Sequence, residues 1–139
     1  MTPESTPVSR GEIVIRCVWN QYFNPALPMP ISAQAFPPRK DETEGISVFR
    51  ASCVAAPEAV LAVFAESKRS LYALVAISVS DIYAMGLSVE PASIVEVSGH
   101  ALIPELNAEI CKADKQWCDG IKKGLAILAS NRVLRAPVA

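Results

Sequence analysis

Two arginines interrupt segments that otherwise predict buried β-strands. Arg16 lies between Val14 and Val18, and Arg50 shares a predicted strand face with Val48. A buried guanidinium must meet a carboxylate, backbone carbonyls or an anionic ligand, because an unpaired buried charge is very costly. If the two strands pair, both arginines would converge beneath the loop that joins them. There they could clamp a phosphate or a carboxylate.

A structural role would also satisfy both arginines. Each guanidinium could form an ion pair with Glu96, Asp41 or Glu44, or its long side chain could extend to water. We favour this structural explanation over the anion clamp.

His100 is the only histidine, so any imidazole acid–base step or metal ligation must use it. It follows Gly99 at the start of a predicted strand and shares a face with Leu102. A hydrogen bond to neighbouring backbone explains a histidine at a strand end, and we favour that interpretation. In the catalytic alternative, His100 is the general acid or base, and Asp41 or Glu96 orients it.

No complete catalytic or nucleotide-binding signature is present. The chain contains no G-x-S-x-G, H-E-x-x-H, Walker A, G-x-G-x-x-G or EF-hand pattern. Cys17, Cys53, Cys111 and Cys118 show no C-x-x-C spacing, and the last two are expected on one helix face. We therefore expect reduced, buried thiols and neither a metal nor a cofactor.

A proline-rich loop over residues 20–45 is the longest interruption between predicted elements. Proline fixes φ and removes a backbone donor, so this stretch can be neither a helix nor the interior of a sheet. Loops of this length are usually functional or disordered. Five of the eleven prolines lie here, at positions 25, 28, 30, 37 and 38.

Aromatic side chains cluster in and beside this loop. Trp19 stands at its entrance, and Tyr22, Phe23 and Phe36 lie within it. They either fold back onto the sheet or present a semi-rigid apolar surface to a partner, since proline lowers the entropy that ordering costs.

Periodicity predicts an α+β fold in a single domain over residues 1–139, with 1–11 frayed. Alternation indicates strands at 13–19, 46–53, 71–77, 93–97 and 100–103, and an edge strand or a free tail near 133–134. A helix starts at Pro57, a short one follows Asp81, and a long amphipathic helix spans 105–129. Gly120 and Gly124 indicate either that a neighbouring backbone approaches that helix closely or that the helix breaks there. We expect a mixed or antiparallel sheet of about four or five strands, packed on one side by the Pro57 helix and the C-terminal helix.

Three segments together resemble a group of short hypothetical bacterial proteins. The segments are S-x-x-A-F-x-P from Ser32, an acidic residue (Asp41) ahead of an I-S-V-x-R strand, and H-A-L-I from His100. No activity is known for that group, and the C-terminal helix lies outside the resemblance. The resemblance implies that the residues to mutate first are Ser32, Phe36, Asp41, Ser47, Arg50 and His100.

The composition is that of a folded chain, with 51% hydrophobic and 19% charged side chains among 139 residues. A net charge of −1 gives no basic surface for nucleic acid. No apolar run approaches the ~18 residues that span a bilayer. The first residues form no apolar signal segment, so we expect a cytoplasmic protein.

Two functional hypotheses follow. The first is a non-catalytic binding or accessory protein that meets a protein partner through the 20–45 loop, and a second copy in a homodimer through the long C-terminal helix. High apolar content with low charge favours such a covered surface. The second is a small enzyme or sensor for an anionic nucleotide or phosphoester, in which Arg16 and Arg50 hold the anion and His100 transfers a proton.

Overall fold

One antiparallel sheet runs through the protein. The computed structural model describes residues 5–36 and 44–137. Six strands lie in the order β4-β5-β2-β1-β3-β6, and every neighbouring pair is antiparallel. The strands are β1 (Ile13–Trp19), β2 (Ile46–Arg50), β3 (Tyr72–Ser78), β4 (Glu90–Pro91), β5 (His100–Ile103) and β6 (Val133–Arg135).

Helices and short 3-10 segments connect these strands. The α-helices are α1 (Val79–Ala84), α2 (Ala108–Ala113) and α3 (Lys115–Ser130). The 3-10 segments are Asn20–Tyr22, Ala33–Ala35, Ala51–Cys53, Pro57–Val63 and Glu66–Leu71. The α+β class is thereby confirmed, with six strands where four or five were expected. The edge strand expected near 133–134 is present as β6, and the short strand β4 at the opposite edge was not predicted.

Both faces of the sheet are covered. On the side that we call the helix face, Val14, Val48 and Val75 pack in one core with buried residues of α1 and α3. On the opposite side, the 3-10 face, Ile15 and Leu74 pack in a second core with Val60 and Leu61 of Pro57–Val63. The prediction that the Pro57 helix and the C-terminal helix pack on one side of the sheet was wrong. Strands that are apolar on both faces must be covered on both faces.

The segment after Pro57 forms two 3-10 helices rather than one α-helix. The backbone is extended at Phe64, between the two 3-10 segments. This extension lets the Phe64 ring stack on Tyr72, with the ring centroids 3.8 Å apart. Arg69 Nε also donates to the Phe64 carbonyl at 3.0 Å. The predicted strand at 93–97 is absent as well, whereas the 100–103 strand is present as β5.

The predicted 105–129 helix breaks at Asp114, not at its glycines. The Asn107 side chain accepts from the Ile110 N–H and caps α2, and the Asp114 side chain accepts from the Trp117 N–H and caps α3. Short polar side chains of this kind compete with a helix interior and stabilise a helix start. The two glycines leave α3 uninterrupted.

A disulfide spans this break and overturns the expectation of reduced thiols for two of the four cysteines, whereas Cys17 and Cys53 are free thiols. Cys111 of α2 is bonded to Cys118 of α3, and their Cα atoms are 5.2 Å apart. Residues seven apart on one continuous helix would be separated by about 10 Å, which is beyond disulfide range. The turn at Asp114 therefore allows the bond that a single helix would forbid.

The glycines give a stability prediction. An added Cβ at Gly120 of α3 meets nothing within 4 Å, whereas at Gly45, with φ +131°, it lies 2.5 Å from the Ile103 carbonyl oxygen. We expect Gly120→Ala to raise the free energy of unfolding by about 0.5–1 kcal/mol, because alanine loses less backbone entropy in a helix.

The matched variant Gly45→Ala should lower that free energy by about 2 kcal/mol or more, since both strain and a backbone clash arise. Urea denaturation measures the free energy of unfolding of both variants and of the wild type. A destabilised Gly120→Ala protein would contradict the open position assigned to this glycine.

Candidate functional site

The Arg16 guanidinium is buried on the helix face and bonded to protein carbonyls. Its side chain is on β1, and its Nη1 donates to the Ser47 carbonyl of β2 at 2.8 Å. Its Nη2 and Nε donate to the Ala35 carbonyl at 3.0 and 3.3 Å. Arg16 therefore joins the sheet to the returning end of the 20–45 loop, as the structural explanation predicts.

Arg50 makes a different set of contacts. Its Nε and Nη2 donate to the two carboxylate oxygens of Glu12, each at 2.8 Å, and its Nη1 donates to the Thr6 carbonyl at 2.6 Å. Hydrogen bonding from Arg50 lowers the pKa of the Glu12 carboxyl, and Glu12 raises the pKa of Arg50. The ion pair was expected, but with other acids.

Glu12 was not predicted as the partner of Arg50, because their proximity depends on the register between β1 and β2. It lies two residues before Val14, and Val14 pairs with Arg50 across the sheet. Residues two apart on a strand share a face, so Glu12 is the diagonal neighbour of Arg50. The same contacts hold residues 6–8, which were expected to fray: Thr6 accepts from Arg50, and Val8 is buried and accepts from the Tyr83 hydroxyl.

His100 lies on the 3-10 face, away from both arginines. It pairs with Phe49, so alternation along β2 places its side chain opposite to that of Arg50. Its Nδ1 donates to the Ala92 carbonyl at 2.6 Å, and its Nε2 lies 3.0 Å from the Ser47 hydroxyl. The structure brings His100 and Ser47 together, and it does not bring His100 to Arg16 or Arg50.

The first part of the 20–45 loop is a hairpin anchored on α3. The Ser32 N–H donates to the Tyr22 carbonyl at 2.9 Å, and the Asn24 N–H donates to the Pro30 carbonyl at 2.8 Å. Between these bonds, Ile31 is fully buried, and its N–H donates to the Ser130 hydroxyl of α3 at 3.1 Å. The base of the loop is thus fixed against the helix face.

The aromatic residues fold back instead of forming one exposed cluster. Phe36 is fully buried in the helix-face core, and Tyr22 and Phe23 pack partly buried against the same core. Trp19 packs on the 3-10 face, where its ring meets Tyr72 edge-on at 5.2 Å. The positions Pro37, Pro38 and Asp41 lie outside the described residues.

Aliphatic side chains are exposed at the loop tip. Leu27 is 52% exposed and Met29 39%, and Ile127 of α3 beside them is 52% exposed. A groove of about 600 Å³ lies between the tip and α3. Its lining includes Tyr22, Leu27, Met29, Ser32, Lys123 and Ile127.

Tyr22 and Ser32 of this groove were predicted as binding residues from the sequence. Its most exposed members were not predicted. Leu27 and Met29 alternate with Pro28 and Pro30, which keeps the segment out of regular structure. Ile127 lies off the apolar stripe of the predicted helix. A long apolar side chain outside such a stripe is the sequence feature that could have indicated an exposed apolar surface.

The fold defines an α+β protein whose six-stranded antiparallel sheet is covered on both faces. No protein-family model, curated protein or solved structure matches the chain. The resemblance to short bacterial proteins stays a prediction. Within residues 5–36 and 44–137, no helix is long and apolar enough to cross a membrane.

The ion pair of Glu12 and Arg50 gives a pH-dependent prediction. We expect Glu12→Gln to lower the free energy of unfolding by about 3 kcal/mol at neutral pH, because it leaves a buried guanidinium without its charge partner. Since the pKa of Glu12 is lowered in the folded state, its stabilisation is complete above the ordinary carboxyl value of 4.5. It is lost as pH falls through the lowered folded-state value.

Urea titrations of both proteins from about pH 7 to about pH 3 measure this difference. Asp119→Asn is the control, since Asp119 pairs with Lys122 at the surface and should change stability by less than about 1 kcal/mol. A difference between wild type and Glu12→Gln that stays constant over the whole range would contradict the assignment.

Proposed function

We propose that this chain is a non-catalytic binding or accessory protein of bacterial type. Its binding surface is the groove between the loop tip and α3, and its ligand is an apolar segment of a protein partner. One observation carries the proposal: Leu27, Met29 and Ile127 lie exposed around a single groove. Clustered exposed aliphatic groups of this kind mark interaction sites on soluble proteins.

The groove is held in place before any partner arrives. Arg16 fixes the loop at Ala35, and Ser130 fixes it at Ile31. The backbone at the tip is restricted by Pro25 and Pro28, and the Leu27 N–H donates to the Asn24 carbonyl in a turn. A surface ordered in advance loses less conformational entropy on binding.

The chemistry of the lining supports binding rather than catalysis. The described lining residues of this groove include no His, Cys, Asp or Glu, and Lys123 is their only charged group. His100 lies on the 3-10 face, and the two arginines are bonded to protein atoms on the helix face. The alternative, an enzyme or sensor for an anionic nucleotide or phosphoester, would need His100 and the two arginines in one site, and their side chains lie on opposite faces of the sheet. A second copy of the chain is the alternative occupant, and a cytoplasmic location is part of the proposal.

A site-specific photo-crosslinking experiment tests the groove. A photo-reactive residue replaces Leu27 in one protein and, as a control, the exposed Leu134 of β6 in another. We expect the Leu27 probe to capture a defined partner in host cells, because this position faces the groove. Adding Ile127→Asp should weaken the captured complex about tenfold or more, since a charge would replace a buried apolar contact.

Capture of a second copy, with a doubled mass in sedimentation, would identify the partner as the chain itself and still support the groove. Identical capture patterns from Leu27 and Leu134, or capture that Ile127→Asp leaves unchanged, would refute the proposed surface.

A further inference from the structure

The Cys111–Cys118 disulfide connects α3 to α2, a helix that only packs, partly buried, against the core through Cys111. Helix α2 contains no buried residue. Its partner α3 is anchored in the helix-face core by Leu125, Ala126 and Ala129. The disulfide is therefore the covalent connection that fixes α2 on a helix which is itself firmly packed.

A second cavity opens directly over this disulfide. It measures about 300 Å³, and both Cys111 and Cys118 line it. Three lysines, Lys112, Lys115 and Lys122, line it as well. Among the described residues that line it, the one acidic side chain is Asp119, which lies 3.2 Å from the Lys122 ammonium group. The positive charges of the other two lysines are therefore not offset by these residues.

We propose that this cavity is a thiol–disulfide exchange site for a small anionic thiol. The two features required for such a reaction meet here. A disulfide is accessible from a cavity of small-molecule size, and the cavity carries the positive charge that attracts an anionic thiol and stabilises thiolates. The site lies apart from the loop-tip groove and does not depend on the function proposed for it.

The exposure of the two sulfurs sets the order of the reaction. Cys111 is half-buried, whereas Cys118 is 1% exposed. The incoming thiolate therefore attacks the Cys111 sulfur, the S–S bond breaks, and Cys118 leaves as a thiolate that takes up a proton.

A second molecule of the thiol completes the exchange. Its thiolate attacks the small-molecule sulfur of the mixed disulfide and releases Cys111 as a thiolate, which is then protonated. Two small thiols are oxidised to one small disulfide, and the protein disulfide is reduced to two thiols.

Reduction should loosen α2. Without the S–S bond, α2 retains only contacts that bury none of its side chains fully, and such segments open at low free-energy cost. The ratio of small thiol to small disulfide around the protein would thus determine whether α2 is ordered.

Exchange kinetics with thiols of different charge test the site. The oxidised protein is treated with glutathione (anionic), 2-mercaptoethanol (neutral) or cysteamine (cationic), and reduction is followed by alkylation and mass spectrometry. Each rate is expressed per thiolate and divided by the rate of the same thiol with a neutral small disulfide. We expect glutathione to exceed cysteamine by about tenfold at low salt, with a smaller ratio at high salt.

Charge variants locate the effect. Lys112→Gln and Lys115→Gln should each slow reduction by glutathione about threefold, and slow reduction by 2-mercaptoethanol less, because its thiolate carries less negative charge than the glutathione thiolate. Lys68→Gln, in the Glu66–Leu71 segment that precedes β3, should change neither rate. In Cys118→Ser, glutathione disulfide should form a stable mixed disulfide at Cys111.

Rates that do not depend on thiol charge would overturn the proposal. The same holds for a disulfide that stays intact in excess glutathione, and for a Cys118→Ser protein whose Cys111 forms no mixed disulfide.

Discussion

The guanidinium of Arg16 is a charge buried in the middle of a sheet, and the surrounding chain must satisfy it. Removing its partners would leave that charge without compensation, which costs several kcal/mol. The carbonyl of Ser47 is supplied by the neighbouring strand, but the carbonyl of Ala35 is supplied by a loop nineteen positions away. The return of the proline-rich loop to the sheet is therefore fixed by the charge of a strand residue. This contact, together with the hydrogen bond from the Ile31 N–H to the Ser130 hydroxyl, fixes the loop that carries the tip and the groove against α3.

Because both faces of the sheet are covered, the polar side chains that the sequence predicts in one anion site lie on opposite faces. Arg16 and Arg50 face one core, His100 and the Ser47 hydroxyl face the other, and each group is bonded to protein atoms. The two surfaces that we propose for ligands lie outside these cores. The loop-tip groove is apolar, and the cavity over the disulfide is lined by lysines. Because the two surfaces differ in chemistry, we propose an apolar protein segment as the ligand of one and a small anionic thiol as the ligand of the other.

Alternation predicted β1, β3 and β5 to within a residue, because side-chain direction along a strand is a local property. The break at Asp114 was hidden, since apolar residues such as Leu106 and Trp117 keep a helical spacing across it. The disulfide depends on that break, so it was hidden too. Glu12 was missed because choosing an ion-pair partner requires the register between strands, which a single sequence does not give. The groove was missed for the same reason, since it joins a loop to a helix about a hundred residues later.

Native-state hydrogen exchange of an Arg16→Met variant tests this account most directly. Methionine approximates the length of the side chain and removes its donors. The account predicts that the amides of Asn24, Ile31 and Ser32 in the loop lose about 2 kcal/mol of protection. The Arg50 amide, bonded to Gly99 between β2 and β5, should retain a larger share of its protection. Equal losses at the loop and in the sheet, or loop amides that keep their wild-type protection, would show that Arg16 does not hold the loop.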